Sequence, residues 1–503
     1  MINEKKAILQ YDQPQIVLDE LSTIDVYKAD DQQKTKDSGD RQEMTIGALS
    51  PFIHINSYNI TAIEYLKIDM NSEIPELLIV FKTFETQFLF TGYPKDGDLL
   101  SLYIKSTSEA YKPIRHDYTI VEVTGPGPEA ISDMPKNYTA SSVFYTFIIK
   151  AQLRIPKIFQ HNCQAYSNLT SWDTLRQVAK DLKLGFSSNE KDTDDQMTWI
   201  NPNLTVLEFI DSVVSRSWKT EEDSFEWWID PYYNLTFVNI NKQLFGPDSK
   251  DSDGDSILAN IGSSYGLYGG LDSTQKTSDA EFPLLLTNDP HWGKYPFFIK
   301  SYTVSNSSGY VTNKYGYKTI LQFYDTTLTT DTHDQKYVRY SIESVTPKKL
   351  GDSDIILRGR PNETVYLDEY KKEWSGTRYF DNTHSNIHQA PTQNTINKFE
   401  NYKIFLDIEL GSYVPWIYRG QYVPVRIVHT SPKDVAGQIG PVSNDKVTHA
   451  GETVLNLFLS GKYIILGTSI VYKEGELKTI LRLGKRQWSV NDGVASVPEP
   501  IIS

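Results

Sequence analysis

The segment from residue 462 to residue 485 constrains this chain most strongly. Leu477, Thr479, Leu481 and Leu483 alternate with Lys478, Ile480 and Arg482. Successive side chains of a strand point to opposite faces, so such a run must bury one face of a sheet. An apolar rise over 462–470 precedes it, and Lys473-Glu474-Gly475-Glu476 supplies the turn. The pair predicts a hairpin, and a hairpin needs further strands beside it to be stable. Similar signals recur. Leu77, Leu78, Ile79, Val80 and Phe81 read as a buried strand, and Phe88 to Phe90 as the next. Lys95-Asp96-Gly97-Asp98 turns the chain toward Leu100, Leu102 and Ile104, which alternate. Strands are expected at 118–123 and 143–153, with Thr124-Gly125-Pro126-Gly127-Pro128 as a break between them. β patterning returns at 297–304, 317–324, 337–345, 402–410 and 422–428. Several short strands joined by turns suggest small barrels or sandwiches. The 32 Tyr and 21 Phe agree, because aromatic residues favour strands and contact surfaces.

One stretch departs from the strand period. Leu175, Val178, Ala179 and Leu182 form a helical stripe, with Thr170 or Ser171 to cap its start and Gly185 to close its end. A second helix begins at Thr205, and Glu208, three residues on, completes a capping box. Val206, Phe209, Ile210, Val213 and Val214 supply its apolar face. Residues 225–233 and a strand at 235–240 complete a compact α/β unit.

The fold class is therefore mainly β with α+β parts: two β regions, each a small barrel or sandwich, plus an α/β domain with two helices. Residues 1–45 are expected to be an N-terminal arm and 46–160 a first β-barrel domain. Residues 161–290 are assigned to the α/β domain, ending in an insertion rich in Asp, Ser and Gly over 246–290. A second β-barrel domain takes 291–345 and 397–490, interrupted by an insertion at 346–396, and 491–503 is a C-terminal tail. At about 100–200 residues per domain, a chain of 503 residues has room for three or four.

Bulk chemistry excludes several functions. Fifty Lys and Arg against 64 Asp and Glu give a net charge of −14, opposed to specific nucleic-acid binding and to an anionic membrane surface. The lone Cys163 forms neither an internal disulfide nor a cysteine zinc site. The N-terminus lacks the apolar region of a signal peptide, and the strongest apolar run, 77–81, is far too short to span a bilayer, so a soluble protein made in a cytoplasm is expected.

Motifs for chemistry are weak. Gly262-Ser263-Ser264-Tyr265-Gly266 matches the hydrolase elbow G-x-S-x-G, but Leu267-Tyr268-Gly269-Gly270 does not start the required helix. Asp251, Asp253 and Asp255 have calcium-loop spacing, but Gly254 precedes the third ligand and Gly262 stands where a glutamate is needed. His384 and His388 lack a third metal ligand at motif spacing. No catalytic, cofactor-binding or metal residue is assigned, no cofactor is expected, and the chain is read as a non-enzyme. The cluster Trp227, Trp228, Tyr232 and Tyr233 is either a sugar-binding platform or a core or interface.

The α/β unit carries a resemblance. Residues 171–186, SWDTLRQVAKDLKLGF, are followed by Asn189-Glu190, Asp194-Asp195 and Met197-Thr198-Trp199-Ile200-Asn201-Pro202. The capping-box helix and Ile229-Asp230-Pro231-Tyr232-Tyr233-Asn234-Leu235 come next. This resembles the baseplate central hub proteins of contractile-tailed bacteriophages, a family related to the hub part of type VI secretion spikes. Tyr463-Ile464-Ile465-Leu466-Gly467 and Leu481-Arg482-Leu483-Gly484-Lys485-Arg486 resemble the end of the hub's second barrel. The specific match covers about 165–240. The resemblance implies that the two β regions are two small, tail-tube-like β-barrel domains, and it implies a homotrimer with pseudo-sixfold symmetry and a structural role adapting the hexameric tail tube above to the trimeric central spike below. It implies tape measure and baseplate wedge proteins as further partners, and a place in the virion tail baseplate, assembled in the host bacterial cytoplasm. The alternatives are a carbohydrate-binding or carbohydrate-cleaving tail protein and a standalone hydrolase. Sugar binding would expose the Trp227–Tyr233 cluster on a concave face, whereas a hub would bury it.

Overall fold

In the computed structural model, residues 8–18, 50–83, 86–105, 113–128, 145–245, 284–286, 298–306, 318–329, 337–345, 370–373, 384, 386–387, 390–402, 404–414, 417–430, 453–455 and 459–485 are described. In chain order the elements begin with β1 (Leu9–Asp12), β2 (Phe52–Ile55), β3 (Tyr58–Ile60), β4 (Ile63–Asp69), β5 (Glu76–Thr83), α1 (Thr86–Thr91), β6 (Leu99–Ile104), β7 (Ile114–Pro128) and β8 (Tyr145–Leu153). Next come β9 (His161–Leu169), α2 (Ser171–Asp181), β10 (Gly185–Ser188), β11 (Met197–Thr205), α3 (Val206–Ser215), β12 (Phe225–Ile229), β13 (Asn234–Asn239) and α4 (Ile240–Phe245). The last group is β14 (Leu284–Leu286), β15 (Ile299–Asn306), β16 (Lys318–Thr329), β17 (Tyr337–Val345), β18 (Tyr370–Glu373), α5 (Ala390–Asn401), β19 (Ile404–Leu410), β20 (Tyr422–Thr430), β21 (Thr453–Leu455), β22 (Gly461–Lys473) and β23 (Glu476–Lys485). The fold is mainly β with few helices, and no helix among the described residues is long and apolar enough to cross a membrane.

A 14-stranded sheet holds most of the strands, with the path β15-β19-β23-β22-β4-β5-β8-β7-β6-β2-β3 and β20, β14 and β21 branching from β22. This path contains the same arrangement twice. The order β4-β5-β8-β7-β6 in the first half matches β15-β19-β23-β22-β20 in the second, in the same chain order and with every neighbour antiparallel. The register agrees residue by residue. Glu64 is an unpaired bulge between Ile63 and Tyr65, as Lys300 is between Ile299 and Ser301. Val121 is bulged between Ile120 and Glu122, as Leu466 is between Ile465 and Gly467. A bulge bends its strand and increases the local twist, so these two matched bulges curl the sheet at corresponding places in both units. A bridge between Leu285 and Phe298 brings β14 back to the start of β15, so the second unit curls around on itself.

Inward positions correspond as well. Tyr118 and Tyr463 occupy one position in the two units and are among the largest fully buried side chains. Leu77 and Leu406, Ile79 and Ile408, and Ile149 and Leu481 are matched and at most 2% exposed. Each such side chain contributes roughly 1.5–3 kcal/mol by leaving water. The outward residues share little, which hides the repeat in the sequence.

Between the units sits the α/β region. β1, β10, β13 and β12 form a four-stranded sheet with β10 and β13 parallel, and β9 pairs with β11. α2 and α3 pack against these strands, with Leu175, Val178, Phe209, Ile210 and Val213 in the core. Thr205 and Glu208 form the expected capping box. Thr170 caps α2 through the Asp173 amide.

Several expectations are corrected. Phe88 to Phe90 lies in α1, not in a strand. In a strand Phe88 and Phe90 would share a face; the helix buries Phe88 against Phe81 and Phe147 and leaves Phe90 83% exposed. Residues 124–128 do not break the sheet but continue β7 along β8, with a second register shift between Thr124 and Gly127 absorbing the misfit. α2 ends at Leu182 with Lys183 in the left-handed region, φ 60°, so Gly185 is not its stop. Gly185 instead lies in β10, where a Cβ would meet Asn234 Oδ1 at 1.9 Å. Within the stretch read as an irregular insertion, β18 pairs with β16 and α5 begins at Ala390. β16, β17 and β18 form a three-stranded sheet separate from the main one. Residues 8–18 of the arm carry β1, held to the α/β region by Arg176 on Asp12 and by Tyr11 against Trp172. Ser264, His388 and the three aspartates at 251, 253 and 255 lie outside the described residues.

The units join where β22 pairs with β4, Ser469 opposite Asp69 through Lys473 opposite Tyr65. Gly467 sits against Asn71, whose Oδ1 would lie 1.8 Å from an added Cβ and whose Cα would lie 3.2 Å away. Gly467→Ala is expected to cost about 1–3 kcal/mol through overpacking, with Asn71→Gly recovering part of the loss. Thermal or urea unfolding of the two single variants and the double variant measures this.

Candidate functional site

The aromatic cluster singled out in the sequence lies where the three regions meet. β12 is buried on both faces, which its near-continuous apolar sequence FEWWI requires. Phe225, Trp227 and Ile229 belong to the core shared by the α/β region and the first β unit. Trp228 points the other way, into the core of the second unit. Trp227 donates from Nε1 to Asp211 Oδ1 at 2.7 Å, which satisfies its only polar atom. Trp227, Trp228, Tyr232 and Tyr233 are 4%, 3%, 8% and 4% exposed, so none of them offers a face to solvent.

The turn from β12 to β13 is built on Asp230. Its carboxylate accepts from the amides of Tyr232 and Asn234 and from the Asn234 side chain, 2.7–3.1 Å. This allows Tyr233 to sit at φ 61°, an uncommon conformation for a bulky residue. The Tyr233 hydroxyl accepts from the Asp117 amide at 2.9 Å, fixing the turn to β7 of the first unit.

His116, also on β7, makes a second attachment. Its Nε2 lies 2.7 Å from the Pro231 carbonyl and its Nδ1 2.7 Å from the Tyr118 hydroxyl. A carbonyl only accepts, so Nε2 carries the proton and neutral Nδ1 accepts from Tyr118. Burial lowers the His116 pKa to about 4, the Pro231 carbonyl opposing the shift.

Arg419, in the segment between β19 and β20, reaches all three regions. Its guanidinium lies over the Trp228 ring, 4.7 Å from the centroid, and 3.6 Å from Glu226 Oε2. Nη1 donates to the carbonyls of Asn71 and Ser72 at 3.3 and 3.0 Å, at the β4–β5 connection of the first unit. Gly420 follows at φ 83°, where a Cβ would stand 2.8 Å from the Trp228 ring. Burial pushes the Glu226 carboxyl up, but Lys398 at 3.1 Å and Arg419 outweigh it, so Glu226 titrates below the usual range. A cavity of about 30 Å³ remains among Trp228, Pro231, Tyr232, Tyr413, Tyr418 and Arg419. It has room for one or two waters and none for a sugar ring.

The other candidates do not converge on this place. His384 is buried beside Trp199, with ring centroids 6.2 Å apart. No group of three or more His, Cys, Asp or Glu among the described residues could hold a metal. Sequence reasoning missed Arg419, His116 and Glu226, because nothing local distinguishes them from other charged residues.

No family model matches the chain, and no curated protein matches it. Three solved structures illustrate its likenesses. The tail protein from Neisseria meningitidis MC58 is 10% identical, with 88% of this chain and 98% of that chain covered and a TM-score of 0.43. The 43 kDa tail protein of prophage MuSo2 from Shewanella oneidensis is 7% identical, with 87% and 98% covered and a TM-score of 0.45. A type VI secretion component of E. coli, described as similar to the T4 bacteriophage tail proteins gp27 and gp5, is 8% identical, with 90% and 81% covered and a TM-score of 0.33.

Two outcomes test the junction. Arg419→Ala leaves Glu226 with Lys398 as its remaining cation and should cost about 3–5 kcal/mol, whereas Arg419→Met with Glu226→Gln should cost less. Chemical denaturation of the variants reads this. His116 binds its proton more weakly when folded, about pH 4 against an ordinary 6.5. Its contribution is thus fully present above pH 6.5 and is lost as pH falls toward 4, roughly 3 kcal/mol over that window. The difference in unfolding free energy between the wild type and His116→Gln, followed from pH 7 to pH 4, should shrink by that order. The structures that this chain resembles are thus phage tail proteins and a type VI secretion component.

Proposed function

We propose that this chain is a structural protein, the central hub of a contractile phage-tail baseplate. Three copies form a ring that adapts the hexameric tail tube to the trimeric central spike and nucleates tail assembly. The observation that carries this reading is the repeated β unit. A ring of three chains offers six similar faces only if each chain contains the same strand order twice, and this one does. The resemblance of residues 165–240 to hub proteins supports the same assignment.

The domain division follows from this reading. Residues 46–160 form the first tube-like unit, and the second draws on 291–345 and 397–490, the strands of its matched half being β15, β19, β20, β22 and β23. Residues 161–290 form the α/β domain that braces them. Tube, spike, tape measure and wedge proteins are the proposed partners, in the tail of the virion. The chain works without catalysis. Burial of the Trp227–Tyr233 cluster favours this role over a carbohydrate-binding one, because a sugar platform needs its aromatic faces open to solvent.

Light scattering on the purified chain should give three times 57.5 kDa, and particles imaged by negative-stain microscopy should be rings with a central channel. A monomer within an assembled baseplate would sink the proposal.

A further inference from the structure

The helix α5 carries carboxamides where a buried helix face is ordinarily apolar. Ala390, Gln393, Asn394, Asn397 and Asn401 recur at helical spacing, and each is at most 8% exposed. Buried amides need partners, and those of the three asparagines lie in one stretch, residues 215–224, which leads from the end of α3 to β12. Asn394 donates from Nδ2 to the carbonyls of Ser215 and Ser217 at 3.0 and 2.9 Å. Asn397 donates from Nδ2 to the carbonyls of Glu221 and Asp223, both at 2.8 Å. Asn401 donates to Ser224 Oγ at 3.2 Å. Gln393 donates to Asn397 Oδ1 at 3.0 Å and so orients that amide.

The same stretch is held from its other side by different groups. The Ser217 amide donates to the Val214 carbonyl at 3.1 Å, and the Trp218 amide to the buried Asp195 Oδ2 at 2.9 Å. These amides are secured within the α/β region, while four carbonyls of the stretch accept from α5. One charged contact also crosses, Lys398 Nζ to Glu226 Oε1 at 3.1 Å. In the chain, α5 follows the part that carries β16, β17 and β18, and two residues separate it from β19.

We propose that α5 is a clasp that opens and recloses on the folded protein, parting from residues 215–224 while both β units stay intact. On opening, each amide-to-carbonyl bond is exchanged for bonds to water, so each contributes little net. Parting the cores around Trp228 or Phe237 would instead expose apolar area, which is far more costly. Local opening is drawn from the parts of a fold that bury least apolar surface. Among the described side chains of α5, the only buried apolar one is Ala390. Opening takes Lys398 from Glu226 and leaves the Arg419 contacts to Trp228, Asn71 and Ser72 in place. The clasp therefore gives the part of the chain with β16, β17 and β18 a held and a released attachment to the α/β region, without parting the three regions at Arg419.

Hydrogen exchange on the full-length chain, read by mass spectrometry, tests this. Peptides from 390–401 and from 215–224 should share one protection factor to within about threefold, and it should lie at least about a hundredfold below that of β12 and β13. Asn397→Asp keeps the side-chain shape, removes both donated bonds and turns an acceptor toward two carbonyls. It should lower the protection of both stretches together by at least about tenfold, the effect of losing two ordinary bonds, and leave β22 and β23 unchanged. Asn401→Ala removes one bond, should act in the same way more weakly, and serves if the first variant does not fold. Protection of either stretch equal to that of β12 and β13 would overturn the clasp. Unequal protection of the two stretches, or a variant that loosens α5 alone, would do the same.

Discussion

Arg419 is the contact on which the arrangement of the three regions depends. A single guanidinium stacks on Trp228, pairs with Glu226 and donates to two backbone carbonyls of the first β unit. Arginine suits this place because its planar, permanently charged group can stack and donate in several directions at once. A buried pair of charges contributes little stability relative to apolar residues of the same shape, but losing one partner is expensive. The network therefore acts mainly to specify one orientation. An arrangement that separated Arg419 from Glu226 and from the first unit would leave Arg419 buried without these partners and Glu226 with Lys398 alone.

His116 and Tyr233 attach the α/β region to the first unit by a different chemistry. These are neutral hydrogen bonds to backbone groups, closed by the Asp230 turn. The α/β region is thus held on one side by neutral bonds and on the other by charge. Its two helices supply the hydrophobic support behind β12, so the turn that bears Pro231 and Tyr233 is carried on a rigid strand pair.

The repeated β unit explains why the chain is long and mainly β while its halves look unlike. What must be kept for the sheet to curl in the same way is the strand order, the alternation and the two bulges. Tyr118 and Tyr463 fill the same inward position, whereas their outward neighbours are free to differ according to what each unit meets. The joint between β22 and β4 brings this out. Gly467 is small because Asn71 crosses it, and its counterpart Glu122, uncovered, is a charged residue paired with Lys150.

Much of this was legible in the sequence where local forces decide. The alternation at Leu477, Leu481 and Leu483 determined a hairpin, since a period of two has only one way to bury a face. The Thr205 and Glu208 capping box determined where α3 starts, because both bonds close within four residues. Prediction failed where distant residues decide. Phe88 to Phe90 has strand composition, but one aromatic finds a pocket between Phe81 and Phe147 and the other does not, so the segment becomes helical. Gly185 looks like a helix stop, but Asn234 and the Asp12 carbonyl require it. The aromatic cluster was visible as a cluster, yet whether it faced water depended on a second core closing over Trp228. The roles of Arg419, Glu226 and His116 were set entirely by tertiary structure, because a charge or an imidazole becomes a junction only when the fold removes it from water beside its partner.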